Sequence, residues 1–409
     1  MARRKSRLPR RSPREWAVRI TLALLAVVLG YFAVTHSLAQ VLRTKAPEQA
    51  YRLAPYDGRI TAYLSAKMSG PGATAEERAE SDRLARLALR QDPTAVAAVA
   101  TLGINAQLRG DTNAARRYFE YSDKLSRRDL RTRLWFIEDA VAREDIPEAL
   151  RHYDIALRTS RGAPDLLYPV LGSAISDATI RNELVKTLAA KPAWTESFIG
   201  YAAVNSDTVS VARLFQDLRR ANVVIPDASQ ASVIGRLVTE ENYAAAWSYY
   251  AAVRPNADRR RSRDASFAVN LTAPSPLDWV PLGGDAGIST VIQSGDQDGI
   301  FDFSAPATVG GPLLQQLQLL PTGDYVIEGR TINLDQTDAR PYWVLVCTNG
   351  RELGRVEVPN SSENGGVFRG RFTVNAGCPA QYLRLVARPS NAIGGLSGQV
   401  DEVQLRPAS

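Results

Sequence analysis

The sequence predicts an α + β multidomain protein with a transmembrane helix, an α-solenoid and a C-terminal antiparallel β-sandwich of the jelly-roll type. Three observations support this fold class. The run Ile20–Leu42 lacks Lys, Arg, Asp and Glu, helical segments recur at a constant offset, and short alternating strands follow residue 266. At 409 residues the chain is longer than a domain with a single hydrophobic core usually is, so two or three domains are expected.

The N-terminal segment combines a basic tail with an apolar run. Residues 1–19 contain eight Lys or Arg residues and one Glu, and Ile20–Leu42 is long enough to cross a bilayer as a helix. The basic side is expected to stay cytoplasmic, which predicts a single-pass bacterial inner-membrane protein with its bulk in the periplasm. A cleaved signal peptide is the alternative, because Ser37 and Ala39 are small. The length of the run favours an uncleaved signal anchor.

The charge of the chain is concentrated in this tail. The formal net charge is +7, whereas the residues after position 19 contain 42 basic and 42 acidic side chains. A body without excess positive charge has little attraction for phosphate, so no nucleic-acid partner is expected.

A repeat is visible in the helical region, where Ala106–Ser126 aligns with Ala140–Ser160. Small residues in the aligned positions let helices approach closely, and an aromatic residue fills the gap to the next pair. The predicted packing residues are Gly103, Ala115, Phe119, Ala149, Tyr153 and Ala156. Gly110-Asp111 and Glu144-Asp145 are predicted to form the turns between paired helices.

This pattern resembles the tetratricopeptide repeat, in which each unit has two helices and the same period as the two aligned segments. The segments "AYRLAP" (Ala50–Pro55) and "ALRQDP" (Ala88–Pro93) resemble the ends of earlier units, which gives about four units between residues 46 and 165. Helical spacing of apolar residues continues, so the predicted solenoid spans residues 46–255. The resemblance implies binding of protein partners.

The C-terminal region changes in composition. Residues 256–265 are polar and charged and are predicted to be a linker, and residues 266–409 contain about nine short strands separated by turn residues. Asn349-Gly350 is a strong signal for a two-residue hairpin turn. These features predict a β-sandwich or a β-barrel.

The sandwich resembles jelly-roll carbohydrate-binding modules of the galactose-binding-like type. The resemblance is carried by "PLDWVPLGG" (Pro276–Gly284), "LQLLPTGDYVIEGRT" (Leu317–Thr331) and "GQVDEVQLRP" (Gly398–Pro407). It implies glycan binding by stacked aromatic rings and polar side chains.

The candidate glycan-binding residues are Trp279, Tyr325, Glu328, Arg330, Tyr382, Arg384 and Arg388, with Tyr342, Trp343, Arg369 and Arg371 as further aromatic or polar candidates. If the arginines come together, an acidic glycan is the expected ligand. The alternative is that the tryptophans are core residues and that the polar positions form the solvated face of a sheet.

Two further features concern cysteines and metals. Cys347 and Cys378 are predicted to form a disulfide in an oxidising compartment. Asp296, Asp298 and Asp302 resemble part of a calcium loop, but the ligand set is incomplete and no cofactor is expected.

The sequence offers little for catalysis. Its two histidines, His36 and His152, lie outside the β-region, so no Ser-His-Asp triad is available there and no enzyme is expected. The predicted function is a membrane-anchored periplasmic scaffold that binds protein partners through its solenoid and glycan through its sandwich, in assembly or export of a cell-surface polysaccharide. The alternatives are a protein-only envelope adaptor with a structural sandwich and a hydrolase with paired carboxylates.

Overall fold

The structure is a computed structural model that describes residues 12–284, 287–295, 298–336, 338–390 and 394–408. Helices extend as far as Val253, and β-strands follow from Val280. The predicted α + β class, with an apolar N-terminal helix, a helical region and a β-sandwich, is therefore confirmed. The chain divides into two compact units, a first unit up to Ala163 and a second unit from Pro164.

The first unit contains helices α1 to α8. They are α1 (Pro13–Leu42), α2 (Pro47–Leu53), α3 (Gly58–Lys67), α4 (Ala75–Gln91), α5 (Val96–Leu108), α6 (Thr112–Leu125), α7 (Leu130–Ala142) and α8 (Ile146–Thr159). α1 is long and apolar enough to cross a membrane, and none of its most apolar stretch is buried. Its last turns contact the helices that follow through Ala39, which is buried with Ala50 and Ile60.

The helix pairs of the first unit repeat in register. α5 and α7 begin at Val96 and Leu130, α6 and α8 begin at Thr112 and Ile146, and the two intervals are equal. Asp111 caps α6 by accepting a hydrogen bond from the Ala114 amide at 2.9 Å. Asp145 caps α8 in the same way at 3.1 Å. Such side-chain caps satisfy amide groups that lack partners at the start of a helix.

Small residues and rings fill the contacts between these helices. A Cβ atom on Gly103 would lie 2.9 Å from the Phe119 ring, so only glycine allows this approach. Phe119 in turn stacks on Trp135 of the next pair at 4.7 Å between ring centroids. The other small or aromatic residues at aligned positions, Ala115, Ala149, Tyr153 and Ala156, are buried.

The second unit begins with six helices. They are α9 (Ala163–Ala174), α10 (Ala178–Ala189), α11 (Thr195–Asn205), α12 (Thr208–Arg220), α13 (Asp227–Thr239) and α14 (Tyr243–Val253). Aspartates cap α10 and α12, at Asp177 and Asp207, in the manner of the first unit. These caps define where α10 and α12 begin, which the irregular repeat pattern of this region does not show in the sequence.

The remainder of the second unit is a β-sandwich. Its strands are β1 (Val280–Pro281), β2 (Ser289–Ser294), β3 (Gly299–Ala305), β4 (Gly311–Gln318), β5 (Gly323–Ile332), β6 (Tyr342–Cys347), β7 (Glu352–Glu357), β8 (Val367–Val374), β9 (Gln381–Ala387) and β10 (Leu396–Pro407). Sheet I has the order β1-β4-β9-β6-β7, sheet II has the order β2-β3-β10-β5-β8, and the strand pairs are antiparallel. Alternate residues of both sheets form one core that includes Phe301, Trp343 and Phe372.

A disulfide ties the sandwich together. Cys347 at the end of β6 is bonded to Cys378 in the loop before β9, across 31 residues of sequence. The predicted pairing is confirmed, and both cysteines are buried in the folded domain.

Residues 256–265, which the sequence predicts to be a linker, are packed against the sandwich. The amide of Ser262 donates to the Leu405 carbonyl at 2.9 Å, and the amide of Val403 donates to the Ala265 carbonyl at 2.9 Å. This segment therefore runs alongside β10, and two of its polar residues, Ser262 and Arg263, are buried.

Candidate functional site

Arg263 fixes the packed segment to the sandwich. Its guanidinium donates to the Leu277 carbonyl at 2.8 and 3.0 Å and to Gln318 Oε1 at 2.9 Å, and its backbone exchanges two hydrogen bonds with the Gln316 amide. Burial lowers the pKa of Arg263 because the charged form loses its contact with water. The carbonyl acceptors offset this cost, so Arg263 is a structural support and not a free charge.

A cavity of about 780 Å³ lies beside this support, between the end of α14, residues 255–281, and strands β2, β4 and β10. Its polar wall includes Tyr250, Arg254, Asp258, Asp264, Asn270 and Asp278. Its apolar wall includes Val269 and Val291, which are 43% and 45% exposed. This volume and this mixed lining are typical of small-ligand sites.

Asp278 lies at the centre of a hydrogen-bond network in the wall. Its Oδ1 accepts from the Tyr250 hydroxyl at 2.9 Å, and its Oδ2 accepts from the Ser275 amide at 3.0 Å and the Ser275 hydroxyl at 2.6 Å. Burial, assisted by the Asp278 charge, raises the pKa of Tyr250, so this hydroxyl remains a donor. Arg254 Nε lies 3.9 Å from Asp278 Oδ1.

Asp264 organises the adjacent turn. Its carboxylate accepts from the amides of Ala268 at 2.8 Å and Val269 at 3.2 Å, and its carbonyl accepts from Trp279 Nε1 at 3.0 Å. Burial raises the pKa of Asp264, and the nearby Asp278 charge contributes to the rise. Two aspartates and an arginine thus face one cavity, an arrangement suited to holding hydroxyl groups.

Two of the predicted stacking residues are not available as platforms. Trp279 is 4% exposed and packs against Phe267 and Trp343, although its edge reaches the cavity wall. Tyr325 is 3% exposed, and its hydroxyl donates to the Pro321 carbonyl at 2.9 Å. The expectation that these rings stack on sugar is corrected, because neither presents a face to solvent.

The polar candidates of β5 lie on the outer face of sheet II, since the alternating Tyr325 and Ile327 point into the core. Glu328 Oε1 accepts from Arg406 Nε at 2.7 Å, and Arg330 forms an ion pair with Asp401. Arg369 Nε lies 4.0 Å from Glu328, and Arg371 is exposed on the same strand as Arg369.

The candidates of β9 lie on the outer face of sheet I, because Leu383 and Leu385 point into the core. There the Arg384 guanidinium lies over the Tyr382 ring at 4.6 Å, and both Arg388 and Arg355 lie over the Tyr342 ring. These faces belong to opposite sides of the sandwich. The expectation of one shared site is therefore corrected for Glu328, Arg330, Arg384 and Arg388, which the fold keeps apart.

The calcium candidates Asp298 and Asp302 do not belong to a cluster of metal ligands in the part of the chain that the structure describes. Asp302 accepts from Gln399 Nε2 at 2.7 Å, and Asp296 lies outside the described residues. Asp298 is exposed, and no group of three potential metal ligands occurs among the residues that the structure describes.

The cavity residues Arg254, Asp264 and Asp278 were not singled out by the sequence. Of these residues, Asp264 lies in the segment "NADRRRSRDA" (Asn256–Ala265), which is as polar as a solvated linker, and the burial of Arg263 in this segment depends on Gln316 and Gln318, more than fifty residues later. No local pattern contains that information. The one local signal is "LDW" at residues 277–279, where a carboxylate directly precedes a tryptophan.

No family model and no curated protein matches this chain. The solved structures that resemble parts of it include a carbohydrate-binding module, TmCBM61, in complex with β-1,4-galactotriose, with 14% identity over 32% of this chain and 88% of that chain and a TM-score of 0.23.

Two further solved structures show similarity of the same order. The enzymatically active domain of tailspike protein 4 of bacteriophage CBA120 is 12% identical over 32% of this chain and 20% of that chain, with a TM-score of 0.23. The human IFIT1 dimer with PPP-AAAA is 16% identical over 56% of this chain and 64% of that chain, with a TM-score of 0.25. These values assign no ligand or activity to the present chain.

Proposed function

We propose that this protein is a membrane-anchored scaffold of the bacterial envelope whose second unit binds a saccharide. The observation that carries the proposal is the cavity of about 780 Å³. Its wall combines carboxylates, a guanidinium and amides with apolar rim residues, and saccharides need both hydroxyl partners and apolar contacts. Binding of this kind suits a protein that takes part in assembly or export of a cell-surface polysaccharide.

The membrane placement rests on three features. α1 has the length and composition of a membrane span, the excess positive charge of the sequence is concentrated in residues 1–19 at its N-terminal side, and the Cys347–Cys378 disulfide is of a kind that persists in oxidising compartments. We propose an N-terminus in the cytoplasm and the bulk of the chain in the periplasm. The paired helices of the first unit are proposed to bind protein partners.

We propose binding and not hydrolysis. Asp264 and Asp278 line the same cavity, as a hydrolase with paired carboxylates requires. However, both oxygens of each carboxylate already accept hydrogen bonds from Ala268, Val269, Tyr250 or Ser275. Carboxylates held in this way are suited to orienting hydroxyl groups. Release of new reducing ends from any retained saccharide would favour the hydrolase.

A glycan array with the full-length protein in phospholipid nanodiscs tests saccharide binding. Nanodiscs are preferred because maltoside detergents carry a sugar headgroup. We expect retention of at least one saccharide, loss of retention in Val291→Trp, which fills the rim, and normal retention in Val367→Trp. Val367 is a matched control, since it is 47% exposed on β8 and Val291 is 45% exposed on β2.

Failure of the wild-type protein to retain any saccharide would contradict the proposal. Crosslinking that then recovers protein partners on both units would favour the protein-only adaptor. Equal loss of saccharide retention in Val291→Trp and Val367→Trp would show that the binding site is not the cavity.

A further inference from the structure

The charges around the cavity restrict the ligands that it can hold. Among the described residues, the charged groups in its wall are Asp258, Asp264 and Asp278 together with Arg254, Arg261 and Arg263. The formal charges of these three aspartates and three arginines sum to zero. The distribution of these charges within the wall is uneven, because some arginines are already committed to partners.

Two of the three arginines are not available to an anionic ligand. The guanidinium of Arg263 donates its hydrogen bonds to the Leu277 carbonyl and to Gln318 Oε1 inside the protein. Arg261 Nε lies 3.5 Å from Asp258 Oδ2 at the rim, so these two charges offset each other. The inner wall is left with Arg254 against two aspartates.

The guanidinium of Arg254 lies beside Asp278 and retains hydrogen-bonding capacity for a ligand. Its Nε is buried and has no hydrogen-bond partner within the described part of the chain, and the 3.9 Å to Asp278 Oδ1 is too long for a hydrogen bond. The side chain is 28% exposed. A ligand group that both accepts and donates hydrogen bonds, such as a hydroxyl, suits a guanidinium and a carboxylate placed side by side.

The rim adds neutral partners. Asn256 and Asn270 line the cavity, are exposed, and make no side-chain hydrogen bond with the residues that the structure describes. An amide carries both donors and an acceptor, which matches hydroxyl groups. Val269 and Val291 are exposed beside them and offer an apolar surface for the carbon-bound hydrogens of a sugar ring.

We infer that the cavity selects an uncharged saccharide and discriminates against the same saccharide with a carboxylate at C6. This inference rests on the proposed function and names its ligand class. A carboxylate in the cavity would face Asp264 and Asp278 with only Arg254 to balance them, and like charges brought together in a partly buried site oppose binding. An acidic glycan is expected from the sequence only if the arginines of the two sheets come together, and the fold keeps them apart.

The test compares matched pairs of trisaccharides on the full-length protein in phospholipid nanodiscs. The probes are β-1,4-linked glucose, mannose and galactose trimers and their C6-uronate counterparts, with affinity measured by calorimetry at constant ionic strength. We expect at least one neutral trimer to bind about tenfold or more tightly than its uronate. Asn270→Ala should weaken the neutral ligand by about fivefold, as expected for one lost hydrogen bond.

A charge reversal at Asp258 gives a second test, because this carboxylate is exposed and contacts only nearby residues of its own turn in the described part of the chain, the Arg260 amide at 2.8 Å and Arg261 Nε at 3.5 Å. Asp258→Lys, at an exposed position, releases Arg261 and should reduce the preference for the neutral trimer by about tenfold. Asp338→Lys makes the same change at an exposed position outside the cavity and should leave the preference unchanged. Equal effects of both variants would show a nonspecific charge effect and overturn the inference.

The remaining outcomes are distinct. A uronate that binds the wild-type protein as tightly as its neutral partner, or more tightly, overturns the inference and leaves saccharide binding intact. Absence of binding by every probe, together with an empty glycan array, overturns the proposed function and this inference together.

Discussion

His152 is buried on α8 among charged neighbours. Its Nδ1 lies 3.1 Å from Arg133 Nη1, and its Nε2 lies 3.0 Å from Glu148 Oε1. A guanidinium can only donate, so Nδ1 of the neutral ring accepts from Arg133 and Nε2–H donates to Glu148, while Arg151 Nη2 also lies 3.2 Å from Nε2. The ring also stacks on Phe136 at 4.7 Å between centroids. This histidine is a neutral packing residue of the first unit.

The environment of His152 predicts a loss of stability in acid. Burial, and then the Arg151 and Arg133 charges, lower the pKa of His152 from 6.5 to about 4, although Glu148 opposes the shift. Between these values the unfolded chain binds a proton that the folded chain does not, so stability falls as the pH decreases from 6.5 to 4. The loss is on the order of 3 kcal/mol.

Hydrogen exchange of α7 and α8, corrected for the intrinsic rate at each pH, measures this effect. The opening free energy of the wild type should decrease over that range, and that of His152→Gln should be much less sensitive. A flat profile in the wild type would show that His152 is protonated in the folded state.

At the scale of elements, the turn between α7 and α8 uses a residue in an unfavourable conformation. Glu144 has φ of 58°, whereas the corresponding turn between α5 and α6 has Gly110 with φ of 81°. Glycine adopts this left-handed region without a steric cost. We expect Glu144→Gly to stabilise the protein by about 0.5–1 kcal/mol and Gly110→Ala to destabilise it by about 1 kcal/mol.

Thermal unfolding of the two variants checks this expectation. Opposite shifts of the midpoint of the first unit are predicted. A lower midpoint for Glu144→Gly would mean that the Glu144 side chain makes a contribution larger than the backbone cost.

The disulfide is the second feature at this scale. The loop between Cys347 and Cys378 spans 31 residues, so its closure restricts the unfolded chain by about 3–4 kcal/mol. The double variant Cys347→Ser, Cys378→Ser should lose that amount of stability in the sandwich. Exchange rates of α5 to α8 in the first unit serve as the internal control. Unchanged exchange in β6 and β9 would contradict the prediction.

The elements that could be predicted from sequence are those with a local cause. The constant offset between the aligned repeats fixes the turns at Gly110 and Glu144, and the alternation in β5 fixes which side chains enter the core. The cavity could not be predicted, because it forms where the segment around Arg263 meets Gln316 and Gln318. The alternation in β5 and β9 predicts a polar face on each strand, at Glu328 and at Arg384, but only the strand order shows that these faces lie on different sheets.

For the whole molecule, the central question is orientation in the membrane. The basic residues before α1 predict that everything after it lies outside the cytoplasm. Alkaline phosphatase fused after Ser409 should be active, and green fluorescent protein fused there after Sec export should be dark. The opposite pair of results would reverse the topology and remove the oxidising compartment in which the disulfide is proposed to form.

The saccharide site is the claim on which the function depends, and hydrogen exchange of the full-length protein with and without a retained neutral saccharide locates it directly. Protection is predicted in residues 254–281 and in β2, the segments that line the cavity. Protection of β9 with its Tyr382 and Arg384 face, and none around the cavity, would contradict the account and place the ligand on the outer face of sheet I.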